Sequence, residues 1–334
     1  VSNLETRPEE VACPAAVGVA DPASPVQIVE SRLVPLGGPR AMTVRRTLPH
    51  KSRSTIGAWC FADHYGPEPV SATGGMVVPP HPHTGLQTVS WLFQGGVEHR
   101  DSTGAHAVIR PGQINLMTAG RGVQHSEYST ADTDVLHGVQ LWTVLPEVSR
   151  AVAPFFEASE AQPFALGPAT ARVFVGSLHG REHADAQTEV TLFSPLLGAQ
   201  LDLPAGAELE LELDPGFEHG VLVDAGPLEV DGLPVRPADL AYLPLGRERV
   251  TLRAPRDADA RAVLLGGTPL GERIIMFWNF IGRTHEEVAE ARERWQAEVV
   301  EGGEPDGLFG SLPDPAHRPL PSPALPLGRL KPRD

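Results

Sequence analysis

The chain has 334 residues, enough for two ordinary domains, and its 34 glycines and 34 prolines suit short strands and tight turns better than long helices. Its 42 acidic against 27 basic residues leave a formal net charge of -15, which disfavours direct binding to nucleic acid or to an anionic membrane. No run of 18 apolar residues is present, and Cys13 and Cys60 are too few for a disulfide framework, so the expected setting is cytoplasmic with no membrane span.

Residues 1–30 are expected to form an N-terminal arm, with little periodicity and without the basic start and apolar stretch of a secretory leader. A first β-rich half is expected over 31–150. Arg45, Arg46, Lys51 and Arg53 form its one basic cluster, which reads as a solvated strand edge or turn rather than a phosphate site. Strands are expected at 89–93, bounded by Gly95-Gly96, at 107–110, running into Pro111-Gly112, and at 114–117 and 139–144. Residues 146–164 read as the crossing between halves. In the second half, 151–283, the segments 171–176, 190–193, 207–213, 220–224 and 249–252 read as strands. Thr284, with Glu287 three residues on as a capping box, opens the one expected helix, 284–301. Residues 302–334 carry eight prolines and read as an extended tail.

Residues 88–95 resemble 219–226 in length and turn placement, and Ile109-Arg110-Pro111-Gly112 returns in the same order as Val235-Arg236-Pro237-Ala238. The two halves therefore read as a duplicated β-fold, a sandwich or a barrel in each copy.

Seven of the 13 histidines fall between residues 64 and 137. Among them are His81-Pro82-His83 and, 42 residues after His83, His125-Ser126-Glu127. Side chains two apart on a strand share a face, so each pair aims two ligands at one point. Three neutral imidazoles and one carboxylate suit a single first-row divalent ion such as Fe, Mn, Co, Ni or Cu better than Ca or Mg. Four ligands on such an ion leave positions open for water, substrate or oxygen.

These stretches resemble a known family. His81-Pro-His-Thr-Gly-Leu-Gln-Thr-Val, Val97-Glu-His-Arg-Asp-Ser, and the run from Ile109 through Met117 to His125-Ser-Glu are similar to the pirin signature. So are Phe61-Ala-Asp-His-Tyr-Gly-Pro and Pro269-Leu-Gly-Glu-Arg-Ile-Ile-Met-Phe-Trp-Asn-Phe with the helix after it, so the resemblance spans roughly residues 31–300. It implies an all-β bicupin: two face-to-face antiparallel β-barrels of jelly-roll type with a C-terminal helix. It implies one Fe(II) held by His81, His83, His125 and Glu127 in the N-terminal barrel. It also implies either a flavonol (quercetin) 2,3-dioxygenase or a regulatory protein that controls transcription or a metabolic enzyme through a protein partner. In the enzyme, a small aromatic flavonol and O2 are the substrates, the ring opens with release of CO, and Glu127 is the catalytic proton acceptor. Where the family usually has Arg-Gly-Phe-Glu, this chain has Thr84-Gly85-Leu86-Gln87. Gln87 is a poor ligand, so Glu127 must supply the carboxylate, leaving Gln87 to hydrogen-bond a ligand or a bound water.

In the second half, alignment on Gly226 sets Glu212 and Asp214 opposite His81 and His83, and Thr251 to Arg253 opposite His125-Ser-Glu; no metal is expected there. Asp63 and His64 read as supporting residues or backbone partners, and His99 and Asp101 as surface or cross-strand partners. His106 and His137 have no partner at useful spacing, and Phe61, Trp91, Phe93 and Trp142 read mainly as core.

Overall fold

The structure, a computed structural model, describes residues 25–36, 42–179, 187–303, 306–314 and 316–332. Its first strands are β1 (Gln27–Val29), β2 (Arg32–Leu36), β3 (Met42–Leu48), β4 (Trp59–Pro69), β5 (Val77–His83) and β6 (Leu86–Gln94). They continue with β7 (Val97–Asp101), β8 (His106–Ile109), β9 (Gln113–Thr118), β10 (Val123–Ser129), β11 (Val135–Val144) and β12 (Phe155–Glu160). The second set is β13 (Phe164–Leu166), β14 (Ala169–Ser177), β15 (Gln187–Thr188), β16 (Leu196–Leu203), β17 (Glu208–Glu212) and β18 (Glu218–Ala225). It closes with β19 (Leu228–Val230), β20 (Leu233–Val235), β21 (Leu240–Leu243), β22 (Arg249–Arg253) and β23 (Ala260–Gly267).

The fold is the expected all-β bicupin. The first barrel pairs a large sheet, ordered β12-β9-β6-β11-β4-β3-β2, with a small one, β5-β10-β7-β8. The second repeats the arrangement as β1-β21-β18-β23-β16-β14-β13, with β15 on β14, against β17-β22-β19-β20. Every described pairing in these sheets is antiparallel, as in β11 with β6 and β23 with β18. The duplication read from the turns is thus present strand for strand. Period-two alternation divides each large sheet. Val89, Trp91, Val139 and Leu141 of the first meet Phe174, Leu222, Val263 and Leu265 of the second in one apolar seam. Val221, Val223, Ala262 and Leu264 face instead into the second barrel, toward Leu209, Leu211, Val250 and Leu252 of its small sheet.

Strand pairing moves the expected domain boundaries. β1, inside the expected arm, pairs with β21 of the second barrel, and β12, inside the expected crossing, pairs with β9 of the first. Residues 1–24 of that arm lie outside the described residues. Residues 190–193 pair with no strand; Leu192 and Val190 pack on the seam instead.

After β23 come β24 (Ile275–Phe277), β25 (Phe280–Gly282) and a helix, His285–Trp295, extended by a π-helical turn at Gln296–Val300. Thr284 caps the helix as expected, accepting from Glu287 N at 3.3 Å, and Glu287 Oε2 accepts from Arg283 N. Acidic Glu286 and Glu287 in the first turn and Arg292 and Arg294 in the last suit the helix dipole. The proline-rich segment is packed down: Phe309 is fully buried against Trp295 and Phe280, and Trp295 Nε1 donates to Leu320 O at 2.8 Å. Gln124 of β10 donates to Gly310 O, and Leu320 N to Pro80 O of β5, so the tail lies along the first barrel's small sheet.

Candidate metal centre

β5 and β10 lie side by side with His81 opposite His125 and Val123 opposite His83. The i, i+2 spacing turns His81 and His83 to one face, and a bulge after His125 sets Glu127 opposite Val78. The turn from β5 into β6 requires Gly85, at φ +72°, where a Cβ would sit 2.5 Å from the Ile281 carbonyl oxygen. His81, His83 and His125 are fully buried and Glu127 is 1% exposed.

The structure brings the three histidines together: one ring nitrogen of each lies within 4.8 Å of the others. His81 Nδ1 lies 2.9 Å from the Pro79 carbonyl. A carbonyl can only accept, so Nδ1 carries the proton and Nε2 keeps its lone pair. Burial pushes the imidazoles of His81, His83 and His125 down, His81 to about 3, so all three stay neutral. His81 Nε2, both nitrogens of His83 and His125 Nε2 are buried without a hydrogen-bond partner. Leaving a buried polar atom unsatisfied costs roughly 1–3 kcal/mol. A cation bound by the lone pairs removes that cost, and this donor set could hold a metal ion.

Glu127 groups with His125 and with His99, within the same 4.8 Å. Ser90 Oγ of β6 lies 3.3 Å from Glu127 Oε1 and 2.9 Å from Gln140 Oε1. His99 and Asp101 are not at the surface. They are 2% and 3% exposed, and β7 sets Asp101 opposite His125 and His99 opposite Glu127. His99 Nε2 donates to Asp101 Oδ2 at 3.0 Å, so its Nδ1 accepts from His125 Nδ1 at 3.3 Å. That relay turns the remaining nitrogen of His125 toward the cluster. Both nitrogens of His99 are therefore engaged, and it orients a ligand-type residue rather than offering one. A signal was present: His99 and Asp101 share the i, i+2 spacing of the other two pairs. Trp142, read as core, stacks on Phe61 at 3.9 Å and meets His83 edge-on at 4.9 Å, so it also walls the site.

Several expectations are corrected. Gln87 faces away from the cluster, because Ser90 on the same strand faces into it and the parity is opposite. Its amide instead donates to Thr118 Oγ1 and Thr191 O and accepts from Thr143 Oγ1. Arg46 is no solvated edge: it is 1% exposed and forks onto Asp63 at 2.6 and 2.7 Å. Arg53 reaches Glu218 at 3.2 Å, and Arg45 donates to His64 Nδ1. His64 and His137 both lie 2.6 Å from Asp224 Oδ1 of the second barrel, a buried polar clasp across the seam. His106 reaches Glu98 at 2.6 Å. In the second barrel Glu212 is exposed and Asp214 Oδ1 accepts from Gly216 N.

Comparison with known proteins agrees with this architecture. Residues 41–143 match the Pirin family profile and residues 198–301 that of the Pirin C-terminal cupin domain. A Pseudomonas aeruginosa protein provisionally named a quercetin 2,3-dioxygenase is 44% identical over 286 residues, 85% of this chain and 88% of the relative. A pirin-like protein of Caulobacter vibrioides is 33% identical over 81% of this chain and 94% of its own length. The crystal structure of a quercetin 2,3-dioxygenase from Acinetobacter baumannii superposes with a TM-score of 0.83 at 33% identity, covering 91% of this chain and 97% of the other. No helix among the described residues is long and apolar enough to cross a membrane.

Proposed function

The chain belongs to the pirin family, and from that premise we propose that it is an iron-dependent flavonol 2,3-dioxygenase whose metal is held by His81, His83, His125 and Glu127. The observation that carries this reading is the set of buried imidazole nitrogens without partners, converging beside a buried carboxylate. When bound, Fe(II), or Mn, Co, Ni or Cu in its place, would polarise the 3-hydroxyl and 4-carbonyl of a flavonol and give access to O2 chemistry.

The protein's own groups supply the rest. Glu127, supported at Oε1 by Ser90, takes the 3-hydroxyl proton. Asp101, through His99, keeps His125 in the tautomer that leaves a lone pair facing the cluster. Trp142 Nε1, buried without an acceptor, offers an N–H to a substrate oxygen beside His83. Phe61, stacked on Trp142 and covered by the Arg46 guanidinium at 4.2 Å, helps exclude water and holds the Trp142 indole as an apolar wall for an aromatic substrate. Overall, one flavonol and one O2 give the ring-opened ester and one CO.

Anaerobic quercetin should shift its visible spectrum on adding metal-loaded protein, and air should then bleach it with release of CO. Glu127→Gln should retain the spectral shift less well and lose at least about 100-fold in turnover. A metal-loaded protein that leaves quercetin unchanged, indistinguishable from His83→Ala, would sink the proposal. One observation favours a second reading, a protein partner's regulator whose metal senses redox state: the four side chains are at most 1% exposed. Capture of a stoichiometric partner only in one oxidation state, without flavonol turnover, would select it.

A further inference from the structure

The second barrel contains a cavity of about 520 Å³ at the end where β17 leads into β18. Its origin is legible from the duplication. Trp142 pairs with Thr88 and Phe61 in the first barrel, and the matching positions in the second are Gly266, His219 and Leu197. The stacked Trp142–Phe61 pair that fills the first barrel is thereby replaced by a glycine and a leucine. The space is not simply closed over: a Cβ on Gly266 would come 2.9 Å from His219 Cδ2, so the glycine makes room for the imidazole.

His219 is 1% exposed, lines the cavity, and its Nδ1 has no hydrogen-bond partner. Burial pushes this imidazole down to about 4, so it is neutral at ordinary pH. Phe193, Leu197 and Phe217 give the cavity an apolar wall, Glu212 and Asp214 give it two carboxylates and His179 a second imidazole, with no lysine or arginine among the described lining residues. The volume is that of a small-molecule site. Carboxylates beside aromatic faces select a cation and repel an anion. No group of three ligand-type side chains able to share an ion is found here among the described residues, and the apolar wall fits the body of an organic cation.

We propose that the second barrel binds a small organic amine, its ammonium group held by Glu212 and Asp214 and its apolar body seated among Phe193, Leu197 and Phe217 against His219. This site is separate from the metal cluster and does not depend on flavonol turnover. The test uses the whole metal-loaded protein with tryptamine as the probe and indole-3-propionate, the same ring with the opposite charge, as the control. Calorimetry or ligand-observed NMR should give a Kd for tryptamine of about 1 mM or tighter, with no competition from indole-3-propionate. Glu212→Gln/Asp214→Asn should weaken tryptamine at least about tenfold with metal content unchanged. Asp214→Asn alone should weaken it in the same direction if the double variant does not fold. His83→Ala, in the other barrel, should bind tryptamine as the parent does. No binding at about 10 mM, equal binding of the acid, or loss of binding in His83→Ala would overturn the proposal.

Discussion

His99 and His125 face each other across β7 and β10, yet only His125 keeps a nitrogen for a cation. Asp101→Ala frees His99 to turn and should lower metal affinity by about 10–100-fold without abolishing binding. His125→Ala should cost far more; chelator competition followed by elemental analysis separates the two. The neutral buried imidazoles also make a pH prediction for the metal-free protein. Their folded-state pKa values lie below the ordinary 6.5, so below that pH the unfolded chain takes up protons the folded chain refuses. Stability should therefore be level above about pH 7 and fall as pH drops through 6.5 toward 4, by about 3 kcal/mol for His219 alone. Urea titrations of apo-protein at pH 7.5 and 5 read this directly. Burial opposes ionisation of Asp224, but hydrogen bonds from His137 and His64 bring its carboxyl down to about 2. That contribution is present above about 3.8 and is lost as pH falls through 2, a separate and more acidic window. At this scale the i, i+2 histidine pairs were legible because strand parity is local. The Asp224 clasp was not, because its members are 73 and 87 residues apart or more in sequence, on strands of different barrels.

Among the elements, the proline-rich tail departs most from its expectation. Proline density reads as extended chain, and the described residues are indeed without regular structure, but Phe309 enters a cluster with Trp295 and Phe280. Phe309→Ala should cost about 3–5 kcal/mol, as deleting a fully buried aromatic does. Leu327→Ala, at a fully exposed position, should stay within about 0.5 kcal/mol. Denaturant midpoints at constant slope check both. The helix was legible from Thr284 and Glu287 because capping is chemistry within one turn. The turn spacing located most strands, but β1 and β12 gain their stability from partners far along the chain, which no local pattern records.

For the whole molecule, the apolar seam decides how the halves behave. Trp91 stacks on Phe174 at 4.7 Å and donates to Gln200 at 2.9 Å, while Trp59 Nε1 donates to carbonyls of Leu197 and Gly266. Neither barrel can be exposed without uncovering this surface. The two should unfold in a single transition, with calorimetric and van't Hoff enthalpies equal, despite the presence of two cores. Trp91→Ala should split or broaden that transition. The exchange of β1 and β12 ties the halves together in a second way. If the repeating unit is taken as a leading strand followed by a barrel, each unit lends its leading strand to the other's barrel. That is the geometry of a domain-swapped homodimer whose two copies have been joined end to end. Separating the two units would therefore leave each large sheet short of its edge strand, β1 or β12, and uncover the hydrogen-bonding edge of β21 or β9.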